Sequence, residues 1–453
     1  MSRKVSRRKF MQASSASAVA AGFWLTGGVT ESFAAQPGAN ERLNIALIGC
    51  GGQGASDHAG VRGENIVALC DVDSVRARTV FELYPKVTKY TDFRQMLDKQ
   101  KDIQAVVVAT PDHTHFHASG SALRMGKHVY CEKPLTHSVW EARQLRELAV
   151  KHKVATQMGN QGTSNNGLRY GVELIRAGVI GEVREVHVWT NRPIWPQNID
   201  RPAGRQEVPK TLNWDLWNGP APERPYNRAY VPFAWRGFWD FGTGALGDMG
   251  CHTMNLPFMA LRLGAPSTIS ADVEGKVNLE TGPMGCTITY EFPARAAAAA
   301  VGGVPRPAMP ACRLQWYERR RPAAELLQGI QAGGSGCLII GSRGKIYTAS
   351  DYGDNIRLLP QADVRDYPLP SPIMPRSPGH HAEWIRACKG GTPAMSNFVD
   401  HSGQLTETVL LGNVAIRVGQ RITWDSAKLQ AVNLPAAAPF IRRAYRKGWE
   451  WNA

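Results

Sequence analysis

An apolar run, Ile45 to Ile48, breaks into Gly49-Cys50-Gly51-Gly52-Gln53-Gly54, and a second apolar run ends at Asp71, 22 positions after Gly49. Strand, glycine turn, helix, strand and carboxylate follow one another in the order of a dinucleotide-binding βαβ unit. In such a unit Gly49 permits the tight turn, Gly51 lets backbone approach the pyrophosphate, and Gly54 lets the helix lie close to the sheet. Gly52 and Gln53 complete the turn and open the helix, whose first N–H groups and partial positive charge face the phosphates. A carboxylate at Asp71 accepts hydrogen bonds from the adenine-ribose hydroxyls and repels a 2′-phosphate, which favours NAD over NADP. A lone GxGxxG is weak evidence. The flanking strands and the acidic end of the second one make it specific.

The first residues bear on where this chemistry happens. Ser6-Arg7-Arg8-Lys9-Phe10-Met11 is followed by an alanine-rich, mildly apolar stretch, Ala13 to Val29, and then by Ser32-Phe33-Ala34. This resembles a twin-arginine export signal cleaved after Ala34, with 35–42 as a linker and the periplasm as destination. An uncleaved anchor is the alternative. The formal charge is +15, and 1–34 holds five basic residues and one acidic, so cleavage leaves about +11. The charges are scattered, with local concentrations at Arg319–Arg321 and Arg442–Lys447, and match no nucleic-acid module. A solvated basic surface is the better reading. Eight cysteines could form disulfides in an oxidising compartment, but several sit in apolar runs and a twin-arginine substrate folds in the reducing cytosol. Free, buried thiols are expected. No Cys/His spacing suggests zinc, and no metal is assigned.

Residues 43–158 alternate strand and helix. Ala105 to Ala109 is a continuous apolar run of the kind that parallel strands buried on both faces show. It ends in the loop Thr110-Pro111-Asp112-His113-Thr114-His115, with the next helix expected over His117–Met125. His128–Cys131 is a strand delivering Glu132-Lys133-Pro134, Ser138–His152 a helix, and Val154–Met158 a further strand. Residues 159–453 change pattern. Val183–Thr190 alternates like a strand with one solvated face, and aromatic, proline-rich loops follow from Pro193 to Trp239. Ser267–Val277, Gly285–Phe292 and Cys312–Tyr317 read as antiparallel strands, and Gly336–Tyr347 as a hairpin turning at Gly341–Gly344. Helices are expected over Arg169–Ala177, His380–Cys388 and Gln404–Val418, and a short strand at Ile422–Trp424. The alanine-, glycine- and proline-rich segment 294–310 reads as a loose loop insertion. The fold class is α/β: an N-terminal Rossmann domain followed by an α+β domain with a large, mostly antiparallel sheet.

The glycine turn, ATPDHTHFH, CEKPL at Cys131–Leu135, DFGTGALGDMGCHTMN at Asp240–Asn255 and LTETVLLGNVAIRVGQRITWD together resemble the Gfo/Idh/MocA oxidoreductases, in an exported branch. The resemblance implies that Lys133 lies beside the nicotinamide and the reacting carbon. A cationic ring and burial would lower its pKa there, suiting it to move a proton or hold the substrate hydroxyl. It also implies that Glu132 orients Lys133, and that Asp248 and His252 form the catalytic Asp-x-x-x-His pair. Four residues apart on a helix, those two side chains share a face. His252 then takes the hydroxyl proton. Thr110, Pro111 and His115 line the nicotinamide-ribose side by family position. Asn160 and Gln161 face the same cleft. Asn191, Arg192, Trp195, Trp235 and Arg236 are candidate polyol binders, with packing as the competing reading.

The periplasm offers no dependable NAD(H) pool, so an exported enzyme of this kind needs tightly bound, internally recycled cofactor. Three functions fit: oxidoreduction of a sugar, polyol or glycoside hydroxyl; NAD-dependent glycoside cleavage through a 3-keto sugar; and a non-catalytic sugar or NAD sensor. The resemblance further implies a homodimer or homotetramer, besides the carbohydrate substrate and the translocation machinery as partners.

Overall fold

In a computed structural model, residues 42–301, 304–327, 330, 332–360 and 371–452 are described. The expected export signal, 1–34, and the linker as far as residue 41 lie outside them. Strands β1 (Asn44–Ile48), β2 (Asn65–Cys70), β3 (Thr88–Tyr90), β4 (Ala105–Val108), β5 (His128–Cys131) and β6 (Thr156–Met158) form a parallel sheet in the order β3-β2-β1-β4-β5-β6. The reversal of direction between β1 and β4 opens a crevice at their C-terminal ends. Both faces of β1 are buried, which explains the unbroken apolar run. Ala46 and Ile48 face one core with Phe116 and Leu145, while Ile45 and Leu47 face another with Val61.

That second core also contains Trp384, Ala387 and Cys388 of the His380–Cys388 helix, far along the chain. The first core is likewise finished from a distance. Trp451 packs on Phe116 at 4.6 Å between ring centroids, and Trp449 and Trp451 each lie 5.8 Å from His117.

The helix after β4 runs Asp112–Arg124, five residues earlier than expected. Pro111, extended, immediately precedes it, and Asp112 places its carboxylate in the positively polarised first turn. The residues read as a loop, His113 and His115, are therefore helical.

A nine-stranded sheet follows. It contains β7 (Val183–Thr190), β8 (Thr268–Val273), β9 (Cys286–Phe292), and, after a separate two-stranded hairpin of β10 (Ala298–Val301) and β11 (Val304–Arg306), β12 (Cys312–Glu318), β13 (Gly336–Gly341), β14 (Lys345–Thr348), β15 (Arg357–Leu359), β16 (Ile422–Asp425) and β17 (Gln430–Ala431). Their order is β15-β14-β13-β7-β12-β9-β8-β16-β17, antiparallel except where β12 runs parallel to β7. The Gly403–Val418 helix and the Gly244–Thr253 helix cover one face. The other face of β7 is solvated only at its start, where the Glu185 side chain is exposed. Trp189 stacks on Tyr347 at 6.0 Å, and Tyr317 and Leu338 join them in a separate buried cluster. Alternation of residue type marked a two-faced strand correctly but could not show that later loops cover the second face.

The segment 294–310 is a correction too. It forms the β10–β11 hairpin, with Arg295 and Met309 exchanging backbone hydrogen bonds of 2.8 Å at its base. An alanine-rich ladder carries no alternating pattern for sequence to reveal. All eight cysteines are free and buried.

Candidate active site

A cavity of about 400 Å³ opens where the parallel sheet meets the second domain. Gly49, Gly51, Gly52 and Gln53 line one end with Asp71, and Thr110, Pro111, Glu132 and Lys133 continue the wall. Trp235 and Arg236 come from the second domain.

The glycine turn is held by packing. A Cβ on Gly54 would sit 2.0 Å from the Gly49 carbonyl oxygen, so this helix can approach the turn only without a side chain. Gly49 has φ 86° and lies against the Ala109 carbonyl, at 2.6 Å from where a Cβ would be. Gly51 makes room for the Arg76 carbonyl, 2.7 Å from its hypothetical Cβ. Asp71 reaches back to the turn: its carboxylate accepts hydrogen bonds from the Cys50 N–H at 2.8 Å and the Asp73 N–H at 2.9 Å. Burial raises its pKa against these two donors. The turn and the acidic strand end are thus one backbone-built unit. Arg76, beside Gly52, also lines the cavity. The fingerprint gives no signal for it.

Lys133 follows β5, and the Lys133–Pro134 peptide is cis. Its Nζ donates to Asp248 Oδ1 at 2.7 Å. Asp248 belongs to the Gly244–Thr253 helix, so the ion pair ties the domains together at the cavity. Arg236 approaches the same carboxylate, Nε at 3.6 Å, while its guanidinium lies over Trp235 at 4.4 Å and Phe233 at 4.8 Å. Within the protein's own groups the Lys133 pKa is set by a contest between burial and carboxylates. Burial, the largest influence, pulls its ammonium down, but Asp248 and then Glu132 overcome it and the pKa rises. Asp248 responds in kind. Burial pushes it up, Lys133 and Arg236 outweigh burial, and it stays ionised.

Glu132 does not reach the ammonium. Its carboxylate accepts from Gln161 Nε2 at 2.9 Å and from the Lys133 backbone N–H at 3.3 Å. It is packed so closely under Gly159 that a Cβ there would lie 2.1 Å from Oε1. Burial, then Asp57, raises the Glu132 pKa. It orients the Lys133 backbone, and Gln161 orients it.

His252 shares its helix with Asp248, one turn on. Burial, then the Lys133 charge, pushes its imidazole down to about 3, so the ring is neutral in ordinary buffers. Nδ1 is buried without a hydrogen-bond partner among the described residues, and Tyr352 meets the ring edge-on at 5.0 Å. Tyr352 arrives on a loop that no motif announced.

Asp112 explains how the second-domain helix is registered. Its carboxylate accepts hydrogen bonds from Thr243 N–H at 3.1 Å and Thr243 Oγ1 at 2.6 Å, immediately before the helix that carries Asp248 and His252.

Several anticipated residues lie behind the wall. His115 is buried with its ring nitrogens 2.8 Å from the Pro134 carbonyl and 2.7 Å from that of Thr110, bracing both loops; it does not line the cavity. Asn160 is fully buried, donating to the Cys251 carbonyl at 3.3 Å. Trp195 is buried, its indole N–H donating to Gln197 at 3.0 Å. Arg192 pairs with its neighbour Asn191 away from the cavity. Of the polyol candidates, Trp235 and Arg236 are at the site.

The residues fit a dinucleotide. A side-chain-free turn leads into a helix N-terminus, a carboxylate stands at the adenosine end, and a lysine stands at the other. Comparisons with known proteins agree. Residues 43–160 match the sequence model of the Gfo/Idh/MocA oxidoreductases' NAD-binding Rossmann fold, and residues 186–281 match that of the same group's C-terminal alpha/beta domain. An inositol 2-dehydrogenase of Salmonella typhimurium is 29% identical over 152 residues, 32% of this chain and 45% of that protein. A glycosyl hydrolase family 109 protein of Solibacter usitatus is 29% identical over 199 residues, 40% of this chain and 44% of that one. The chain therefore spans less than half the length of the curated relatives it matches. Among solved structures, the WlbA dehydrogenase of Bordetella pertussis, in complex with NADH and UDP-GlcNAcA, superposes with a TM-score of 0.58 at 15% identity, covering 85% of this chain and 99% of that one. An aldose-aldose oxidoreductase of Caulobacter crescentus gives 0.55 at 17% identity, covering 85% and 100%. These likenesses show the fold.

Proposed function

We propose that this chain, which belongs to the Gfo/Idh/MocA oxidoreductases, is an exported enzyme acting on a hydroxyl of a sugar, polyol or glycoside, with tightly held NAD in preference to NADP. The observation that carries the proposal is the Lys133–Asp248 ion pair of 2.7 Å, whose lysine lines the same cavity as the glycine turn. Residues 49–54, Asp71, Thr110, Pro111 and Glu132 would hold the dinucleotide, and a bound nicotinamide supplies the hydride acceptor and donor. The Lys133 ammonium, kept charged by Asp248, donates a hydrogen bond to the substrate hydroxyl oxygen and stabilises the negative charge that grows as its proton leaves. His252, neutral and one helical turn from Asp248, accepts that proton once the forming alkoxide offsets the Lys133 charge that, after burial, holds its imidazole down. Trp235 offers a flat apolar face for sugar C–H groups, with Arg236 beside it for hydroxyls.

Tight retention answers the supply problem that export creates. Redox then balances within the cycle, either by passing reducing equivalents from one carbonyl–alcohol pair to another, or by oxidising and re-reducing the same sugar around an elimination. The glycoside hydrolase relative favours keeping the second route, net glycoside cleavage, as the alternative. Denaturing the purified protein and identifying the released nucleotide tests the reading. Near-stoichiometric NAD is expected. Its absence, or NADP in its place, overturns it. Release of an aglycone without net NADH formation selects the cleavage route.

A further inference from the structure

A second cavity, of about 250 Å³, lies away from the dinucleotide cleft, and Arg146, Arg176, Arg262 and Arg306 all line it. Asp400 is the single acidic side chain on its wall among the described residues. Its Oδ2 accepts a hydrogen bond from Asn397 at 2.9 Å, and burial pushes its pKa up to about 6. Four cations thus face one weakened carboxylate. All four are half-buried, where like charges gathered around one cavity repel one another and an anion between them relieves the repulsion.

Three of the four are held in place by backbone. Arg176 Nη2 donates to the Met259 carbonyl at 2.8 Å and Arg146 Nε to that of Val399 at 3.1 Å. Arg262 Nη2 donates to Ala296 and Pro307 carbonyls at 2.6 and 2.9 Å, while its Nε is buried without a partner among the described residues. Burial and then the neighbouring guanidiniums of Arg262 and Arg306 push Arg176 down to about 10, a sign of positive charge left uncompensated. The β10–β11 hairpin finishes the wall. It supplies Arg306 and the two carbonyls that aim Arg262, so the insertion is part of the cavity.

We propose that this arginine-lined cavity is a binding site for a phosphate dianion, free or as a monoester. A dianion offsets most of the surplus charge, and its several oxygens let more than two guanidiniums donate at once, which a carboxylate's two oxygens do less well. The site is separate from the proposed redox chemistry and does not depend on it.

Calorimetric titration at constant ionic strength tests it, with inorganic phosphate, glucose 6-phosphate and acetate as probes. Saturable phosphate binding is expected, at least tenfold tighter than acetate. Arg306→Gln should weaken it at least tenfold; the Arg306 guanidinium makes no hydrogen bond among the described residues, so an unchanged unfolding temperature in phosphate-free buffer is expected. Arg146→Gln gives the same reading should the first variant fail to fold. Tighter binding of the monoester assigns the site to a phosphorylated small molecule, tighter binding of the free ion to phosphate, and either upholds it. Phosphate binding no tighter than acetate, or binding that neither substitution alters (as at the glycine turn), overturns the proposal.

Discussion

The two walls of the main cavity are made of different materials. On the Rossmann side the surface is main chain, shaped by the absence of side chains at Gly49 and Gly54 and tied by Asp71 to the turn it faces. On the other side the surface is charged and aromatic side chains, Lys133 from the strand end and Trp235 and Arg236 from the second domain, with Asp248 pairing to Lys133 and Arg236 behind them and neutral His252 one turn further along its helix. The first wall has little freedom to change and so suits a constant ligand. The second can be altered one side chain at a time, and suits the part of the reaction that differs among relatives.

The largest expected effect is on the charged wall. Lys133→Ala should lower kcat by about 10²- to 10³-fold, the usual worth of one donor aimed at a developing oxyanion, while nucleotide content of the purified protein stays near wild type. Loss of nucleotide without loss of single-turnover rate would invert the comparison. The opposite experiment is Gly54→Ala. With a Cβ placed 2.0 Å from a carbonyl oxygen, the helix must move, costing about 1–3 kcal/mol of stability and most of the bound nucleotide. Denaturant melts and nucleotide release measure both.

A subtler effect follows from Asp248→Asn. Asp248 is the main group raising the Lys133 pKa against burial, so its loss lowers that pKa. The alkaline limb of kcat/KM should shift to lower pH. An unmoved limb would mean that Lys133 is not the titrating group.

Glu318, outside the cavity, gives the smallest effect and serves as a control. Burial raises its pKa to about 8. A carboxyl whose folded pKa exceeds its unfolded one costs stability increasingly from about pH 4.5 up to about 8, because only the unfolded state ionises freely there. Glu318→Gln should therefore raise Tm at pH 8 relative to wild type, with no gain at pH 4, and leave kcat unchanged.

What sequence revealed follows the same division. The glycine turn and β1, β2, β4 and β5 were readable because backbone constraints and double-sided burial each leave a local pattern. Lys133, Asp248 and His252 were reachable only through resemblance, since a lysine in a turn and an i, i+4 pair carry no signal alone. Distance contacts were not readable at all. The direction of the Lys133 shift needed Asp248, 115 residues away, to be placed against it. Tyr352 and Arg76 came from loops without motifs. His115 and Asn160 were found in the right neighbourhood but behind the surface, a matter of which way a side chain points.

The His380–Cys388 helix and Trp449 and Trp451 close the two outer sides of the nucleotide-binding sheet, and His381 lies 324 positions from Asp57, its partner at 3.2 Å. A fragment cut at residue 160 would strip Tyr130 of His381 and Trp384, and Phe116 of Tyr445 and Trp451. The segment that looks most self-sufficient on paper is thus completed by polypeptide made well after it, and a half-synthesised chain has no finished place to keep a cofactor.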